Sequence, residues 1–290
     1  MSKSAAQDGA FSITAGTAIE TILSLTSIDR LDVRILLMHA LSLSRAQLIT
    51  QSHRALTDTE AQQVSRLFQR RIAGEPIAYI VGEREFYGLP LHVTPDVLIP
   101  RPDTELLVEL ALEKLPVHGS LLDMGTGSGA IAIAVAHSRA DANVTALDQS
   151  SAALAIARGN AERHDVKVRF IQSDWYSALS NECFNVIAAN PPYIPEHDIH
   201  LTQGDLRFEP ISALTDHADG LTALNTIADG AARHLAPGGW LLMEHGYNQA
   251  SSVRSLLAAR GFNDVRSWSD LAGIERVTGG RISSIVQACT

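Results

Sequence analysis

Asp123-Met124-Gly125-Thr126-Gly127-Ser128-Gly129 follows the apolar pair Leu121-Leu122 and runs into Ala130-Ile131-Ala132-Ile133-Ala134-Val135-Ala136. A short apolar stretch, three alternating glycines and an apolar run of helical length describe a buried strand that turns sharply into a helix. Glycines in such a turn permit positive φ and let backbone amides approach a ligand closely. A second acid, Asp148, ends the next strand, Val144 to Leu147, where a carboxylate can accept hydrogen bonds from both hydroxyls of a ribose. The pair predicts an adenosyl cofactor. A dinucleotide stays open at this point, because Gly125, Gly127 and Ala130 also satisfy G-x-G-x-x-A.

Outward from this turn, strands and helices alternate. A helix is expected over Ser151 to His164, and strands over Val168 to Gln172, Val186 to Ala189 and Trp240 to Glu244. Such alternation predicts right-handed crossovers and a mainly parallel α/β sheet, Rossmann-like in kind. Asp264 to Trp268 and Arg281 to Val286 read as a closing strand pair. Towards the N-terminus, Ser12 to Ala73 has helical periodicity throughout, and Thr57-Asp58-Thr59-Glu60 is a capping box. Ile77 to Val81 and Leu89 to Ile99 are β-prone and flank the turn residues Tyr87-Gly88-Leu89-Pro90. The expected organisation is a helical bundle over 1–76, a β-hairpin linker over 77–100 and an α/β domain over 101–290.

The chain of 290 residues is 46% hydrophobic and 19% charged, enough to build two cores. Its two cysteines, Cys183 and Cys289, form no CxxC pair, which argues against a disulfide framework and suits a reducing cytoplasm. The first residues lack the apolar core of a signal peptide, and the longest apolar run, Ala130 to Ala136, is too short for a membrane span. No membrane association is expected. A net charge of −9 disfavours binding to a phosphate backbone.

The chemistry is expected at Asn190-Pro191-Pro192-Tyr193, directly after the buried strand Phe184 to Ala189, where open α/β sheets place ligands. Two prolines stiffen the loop and remove donors, leaving acceptors. The Asn190 side-chain oxygen and the Pro191 carbonyl can each take one proton of an NH2 group, and Tyr193 can stack on a planar substrate. Asp174-Trp175, ending the third strand region, can flank an adenine. Arg101 and Glu105 have the spacing of an ion pair on one helical turn. His197 and His200 have metal-ligand spacing but no third ligand, so no metal is assigned.

Several stretches together resemble the HemK/PrmC family, the peptide-chain release-factor glutamine N5-methyltransferases. They are Gly74 to Ile80, Gly82 to Gly88, Ile99 to Glu105, the glycine loop, Asn190 to Pro195 and Arg207 to Pro210. The resemblance implies a seven-stranded class I methyltransferase domain and a helical domain that grips the release factor. It implies S-adenosylmethionine as cofactor, leaving S-adenosylhomocysteine, and the glutamine of a Gly-Gly-Gln loop as substrate. By matching position it places Gly125, Thr126, Gly127, Ser128, Gly129, Asp148, Trp175 and Asn190 at the cofactor, and Asp174 joins them from the residue reading alone. Asn190 to Tyr193 would hold the glutamine, with Arg101 and Glu105 lining the site. From residue chemistry alone an adenine amine of nucleic acid fits the same acceptors, and so does a glutamine of a ribosomal protein. A silent adenosyl sensor and a dehydrogenase leave the paired prolines without a role.

Overall fold

A computed structural model describes residues 11–25 and 27–283. The chain divides into two compact units, one ending at Gly82 and the other beginning at Glu83.

The first unit is helical: α1 (Ile19–Leu23), α2 (Arg30–Leu41), α3 (Arg45–Thr50), α4 (Asp58–Ile72) and α5 (Ile77–Val81). Its core joins Ile19 and Ile22 to Val33, Leu36 and Leu37 of α2 and to Val64 and Phe68 of α4. The capping box forms as expected. Thr57 Oγ1 accepts from Glu60 N at 3.3 Å, and Glu60 Oε2 accepts from Thr57 N at 2.9 Å, an arrangement that stabilises a helix start by about 1 kcal/mol.

Ile77–Val81, expected as a strand, is a helix. Pro76 stands at its N-cap and Gly82 closes it in the left-handed region at φ 77°. Those two residues are helix punctuation, and burial of Ala78, Tyr79 and Ile80 outweighs the β propensity of the segment.

The second unit opens with the hairpin β1 (Glu83–Phe86) and β2 (Leu89–His92), which is shorter than the β-prone stretch to Ile99. From Val93 to Pro100 the chain is irregular. The sheet domain follows as α6 (Glu105–Lys114), β3 (Ser120–Met124), α7 (Ala130–Ser138), β4 (Asn143–Asp148), α8 (Ser151–Arg163), β5 (Val168–Gln172), β6 (Phe184–Ala189), α9 (Ile211–Leu214), α10 (Thr222–His234), β7 (Leu235–Glu244), α11 (Ala250–Ala259), β8 (Asn263–Ser269) and β9 (Glu275–Arg281). The seven strands run in the order β5-β4-β3-β6-β7-β9-β8, with β9 antiparallel to both β7 and β8. This is the Rossmann-like class I methyltransferase architecture. The closing strand is Glu275–Arg281 and not Arg281 to Val286, because Gly279 and Gly280 lie inside it, where Leu242 and Leu241 pair with them. Ser284 to Val286 and Cys289 lie outside the described residues.

Side chains alternate across the sheet. Leu121, Ala146, Ala188 and Leu242 face one core, shared with α6 and α7, while Leu122, Leu147, Ala189 and Met243 face the other, shared with α10 and α11. A sheet covered on both faces explains the unbroken apolar strands of the sequence. Strand order reverses between β3 and β6, so the carboxyl ends of β3, β4, β5 and β6 border one crevice, the position where such sheets bind ligands. No helix among the described residues is long and apolar enough to cross a membrane.

Candidate active site

The turn between β3 and α7 forms one wall. Gly125, Gly127 and Gly129 have φ of 71°, 54° and 87°, conformations that side-chain-bearing residues rarely adopt. A Cβ at Gly125 or Gly127 would meet nothing within 4 Å, whereas one at Gly129 would meet Ile133 Cδ1 at 2.7 Å. The first two glycines border open space, and the third lets the helix pack. Beneath them Asp123 is fully buried. Its Oδ2 accepts from the Thr126 hydroxyl at 2.6 Å and from Ala132 N at 3.2 Å, and its Oδ1 has no partner. Burial pushes its carboxyl up to about 7, with the nearby Asp148 charge acting in the same direction.

Asp148, at the end of β4, accepts from Gly127 N and Ser150 N, each at 2.9 Å. One of these bonds falls on each oxygen, and with the Gln149 backbone also acting on the carboxylate, capacity remains for a further donor. Burial raises its pKa despite these bonds. Beyond β5, Ser173 N donates to the Asp148 carbonyl at 3.0 Å, and the Ser173 hydroxyl donates to the Trp175 carbonyl at 2.6 Å. Trp175 is held at φ 46°, a strained conformation that only its surroundings maintain.

These elements enclose a cleft of about 280 Å³. Gly125, Gly127, Asp148, Asp174, Trp175, Asn190, Pro191 and Pro192 all line it, joined by Leu98 from the irregular stretch after the hairpin and by Ser212. Other residues expected at the site stand behind it. Thr126 and Ser128 are buried within the turn, and the Ser128 carbonyl is held by Asn160 Nδ2 at 2.9 Å. Gly129 caps α7. Tyr193 packs against the core on the α10 and α11 side.

Behind the Asn190 loop lies a polar chain. Asn190 Nδ2 donates to Thr104 Oγ1 at 3.1 Å. The Tyr193 hydroxyl donates to Glu244 Oε1 at 3.3 Å. Glu244, the last residue of β7, is 1% exposed, and its Oε2 has no formed hydrogen bond. Burial raises its carboxyl to about 7 against the lowering effect of the Thr104 and Tyr193 hydroxyls. Burial and the Glu244 charge raise the Tyr193 phenol.

The expected Arg101–Glu105 ion pair does not form. Arg101 Nη2 donates instead to Glu209 Oε1, and Glu209 Oε2 accepts from Ile99 N at 3.0 Å. Glu105 accepts from Tyr87 N at 3.1 Å. The turn over Pro102–Thr104 is a 3-10 helix, so Arg101 stands in extended conformation outside α6 and lacks the one-turn spacing the pair requires. The salt bridge instead fastens the approach to α6 onto the loop before α9. His200 pairs with Asp198 at 2.6 Å, and among the described residues no three histidines, cysteines or acids are grouped to hold a metal.

Residues 19–82 match the model of the PrmC N-terminal domain, and residues 102–205 match the methyltransferase small domain. A release factor glutamine methyltransferase of Burkholderia pseudomallei is 54% identical over 92% of this chain and 96% of its own length. The chain belongs to the release factor glutamine methyltransferase family. The Escherichia coli relative of that name is 44% identical over 87% of this chain and 92% of its own. A crystal structure of a methyltransferase from Pyrococcus furiosus shares the fold with a TM-score of 0.53 at 19% identity, over 76% of this chain and 99% of that one.

Three groups behind the cleft of this family member, Thr104, Glu209 and Glu244, were not singled out from the sequence. Thr104 and Glu209 sit inside stretches that carry the family resemblance, yet neither has a spacing that announces its partner. Glu244 did carry a usable signal, being an acid at the carboxyl end of a buried strand, like Asp148.

Proposed function

We propose that this enzyme transfers a methyl group from S-adenosylmethionine to the side-chain amide nitrogen of the glutamine in the Gly-Gly-Gln loop of peptide chain release factors, and so modulates translation termination. The observation that carries the reading is the Asn190 amide. Its nitrogen is engaged by Thr104, which leaves Oδ1 as an acceptor, beside a proline pair that offers carbonyls and no N–H.

The cleft suits the cofactor. Asp148 keeps acceptor capacity for ribose hydroxyls, Gly125 and Gly127 leave backbone and space where a Cβ would intrude, and Asp174 and Trp175 flank the position of the adenine. When bound, S-adenosylmethionine supplies an electrophilic methyl group. The protein contributes orientation and electrostatics. Asn190 Oδ1 and the Pro191 carbonyl each accept one N–H of the glutamine amide, which turns the nitrogen lone pair toward the cleft. As the bond from nitrogen to the methyl group forms and the bond from sulfur to it breaks, fixed acceptors stabilise the positive character on nitrogen without reorganising, and one of the two N–H protons they hold is then released to solvent. Tyr193 supports the loop from behind, with its ring packed on the core and its hydroxyl on Glu244, and is not placed to stack on the amide.

The helical unit is proposed to engage the body of the release factor, and the cytoplasm is the expected compartment. An adenine amine offers the same two protons, so substrate choice is the point to test. The protein is incubated with methyl-labelled S-adenosylmethionine and, separately, a release factor, ribosomes and duplex DNA, and the label is located by mass spectrometry. Label on the Gly-Gly-Gln glutamine is expected. Label confined to DNA or to a ribosomal protein overturns the assignment.

A further inference from the structure

Glu244 is a fully buried acid that binds neither substrate nor cofactor in the reading above, and one of its oxygens has no formed hydrogen bond. Native proteins seldom leave such an atom without a reason. It ends β7 beside β6, whose extension is the Asn190 loop. The Tyr193 hydroxyl donates to it from that loop, and the Thr104 hydroxyl, in the turn before α6, lies close enough to act on the carboxyl without a formed hydrogen bond.

The direction of each bond matters. A primary amide presents an acceptor on one end and donors on the other, and a hydroxyl can play either part. Thr104 Oγ1 receives a proton from Asn190 Nδ2, so its own proton is available to the Glu244 carboxylate. With a carboxylate as terminal acceptor, the three groups have one consistent direction: Asn190 donates to Thr104, the Thr104 proton can turn to the unpartnered Glu244 oxygen, and Asn190 Oδ1 is left toward the cleft. A protonated Glu244 can itself donate to Thr104. The hydroxyl is then free to donate to the Asn190 oxygen, the amide turns over, and the cleft is offered an NH2 group that repels the N–H of the substrate.

We propose that Glu244 is a positioning residue that acts through Thr104 to fix the orientation of the Asn190 side-chain amide, so that its ionised form defines the methyl-acceptor site. The inference rests on the reading of Asn190 as an acceptor for the glutamine amide. The other ionisable groups that bear on Glu244 are Tyr193, Asp103 from the turn before α6 and Arg276 on β9. Asp103 and Arg276 lie 3.4 Å apart as an ion pair, so their effects on Glu244 partly cancel. The adjacent His245 is turned to Thr278 and Gly246, and burial lowers its pKa. The pKa of about 7 places the change of state of Glu244 near neutrality.

The test has one arm that needs no substrate. In protein labelled with 15N in asparagine side chains, with the Asn190 signal assigned by its loss in Asn190→Ala, the Asn190 NH2 resonance is followed from pH 5.5 to 8.5. It is expected to titrate near pH 7 in the wild type and in Thr104→Ser, and to lose that transition in Glu244→Gln and Thr104→Val. In the second arm, turnover on a release factor is expected to fall about a hundredfold in Thr104→Val, the scale of a misoriented reacting group. KM for the release factor and affinity for S-adenosylmethionine should stay within about twofold, and Thr104→Ser should restore the rate. An Asn190 signal that ignores pH in the wild type, or titrates unchanged in Thr104→Val, overturns the relay whatever the enzyme methylates. Wild-type protein that titrates as expected but leaves release factors unlabelled overturns the substrate reading and leaves the relay standing.

Discussion

Gly127 donates its backbone N–H to Asp148 Oδ2 at 2.9 Å across 21 residues of sequence. The bond ties the acid proposed to bind the ribose to the glycine turn, so each of these two walls of the cleft sets the position of the other. The Ser150 amide fixes the second oxygen in the same way. Replacing Asp148 with alanine removes a carboxylate placed for two ligand hydroxyls and frees the turn as well. Hydrogen bonds to a charged group contribute roughly 1.5–3 kcal/mol each, so losing two should lower affinity for S-adenosylmethionine about a hundredfold to ten-thousandfold. Isothermal titration of the two proteins measures this directly. Equal affinities would remove Asp148 from the site.

Asn190→Ala should act on rate more than on cofactor affinity. The side chain touches the cleft, but its proposed partner is the substrate amide, and loss of one preorganised group at a reacting centre costs about a hundred- to a thousandfold in turnover. Single-turnover methylation at saturating cofactor reads the effect. Turnover within a few-fold of wild type would refute the role given to Asn190.

The central strands that build the crevice, β3, β4 and β6, were legible in the sequence because each is buried on both faces and reads as a mainly apolar run with a polar residue at or just beyond its end, whereas the edge strand β5 carries the exposed Arg169 and Gln172. Asp148, Asn190 and the glycine turn were legible for the same reason. What the sequence hid are pairings between distant segments. Nothing in the spacing of Arg101 points to Glu209, 108 residues away, whereas Glu105 at one helical turn is an obvious and wrong partner. Leu98 enters the cleft from a stretch whose β propensity suggested a longer strand, and only the fold shows that pairing stops at His92. The segment Ile77–Val81 failed differently: its composition favours a strand, but Pro76, Gly82 and a waiting apolar surface make it a helix.

The Arg101–Glu209 bridge should matter to stability through the buried member. The Glu209 side chain is 0% exposed and that of Arg101 is 32% exposed, so Arg101→Ala strands a carboxylate that water cannot reach. The expected cost is about 2–4 kcal/mol, discounted from a fully buried pair because the guanidinium is partly solvated. Arg101→Ala combined with Glu209→Gln should recover part of the loss, since the charge is gone and the Ile99 amide keeps an acceptor. Urea unfolding of the three proteins tests the order. Equal stabilities for the single and double variants would show that the buried charge is not the cause.

Buried acids also predict a pH signature. Asp123 and Glu244 have carboxyls raised by burial from 3.8 and 4.5, respectively, to about 7. Between about pH 4 and 7 the folded state retains protons that the unfolded state has released, so their contribution is full below pH 4 and is lost as pH rises through 7. His245, lowered from 6.5 by burial, works the other way below its ordinary value, but does so equally in wild type and variant. Asp123→Asn cannot ionise, and Asn can still accept from Thr126 and Ala132. Its melting temperature relative to wild type should therefore rise steadily from pH 4.5 to 8. A difference that is flat in pH would show that Asp123 keeps an ordinary pKa.

The two ends of the glycine turn should separate binding from folding. Gly127→Ala places a methyl group in open space beside the cleft at φ 54°, so it costs only the strain of a left-handed residue, about 1 kcal/mol, and its main effect falls on the cofactor. Gly129→Ala adds the same strain at φ 87° to a Cβ 2.7 Å from Ile133 Cδ1 and 3.2 Å from Ala157 Cβ. The Ile133 side chain, on α7 itself, must rotate within a fully buried site, and the rigid Ala157 Cβ yields only if α7 and α8 shift apart, so overpacking of this kind costs a further 1–3 kcal/mol or so. Thermal unfolding without cofactor should show Gly129→Ala as the less stable variant by several degrees. Titration with S-adenosylmethionine at a temperature where both are folded should show Gly127→Ala as the weaker binder. The reverse order in either measurement would mean that the cleft wall and the helix seat have been assigned to the wrong glycines.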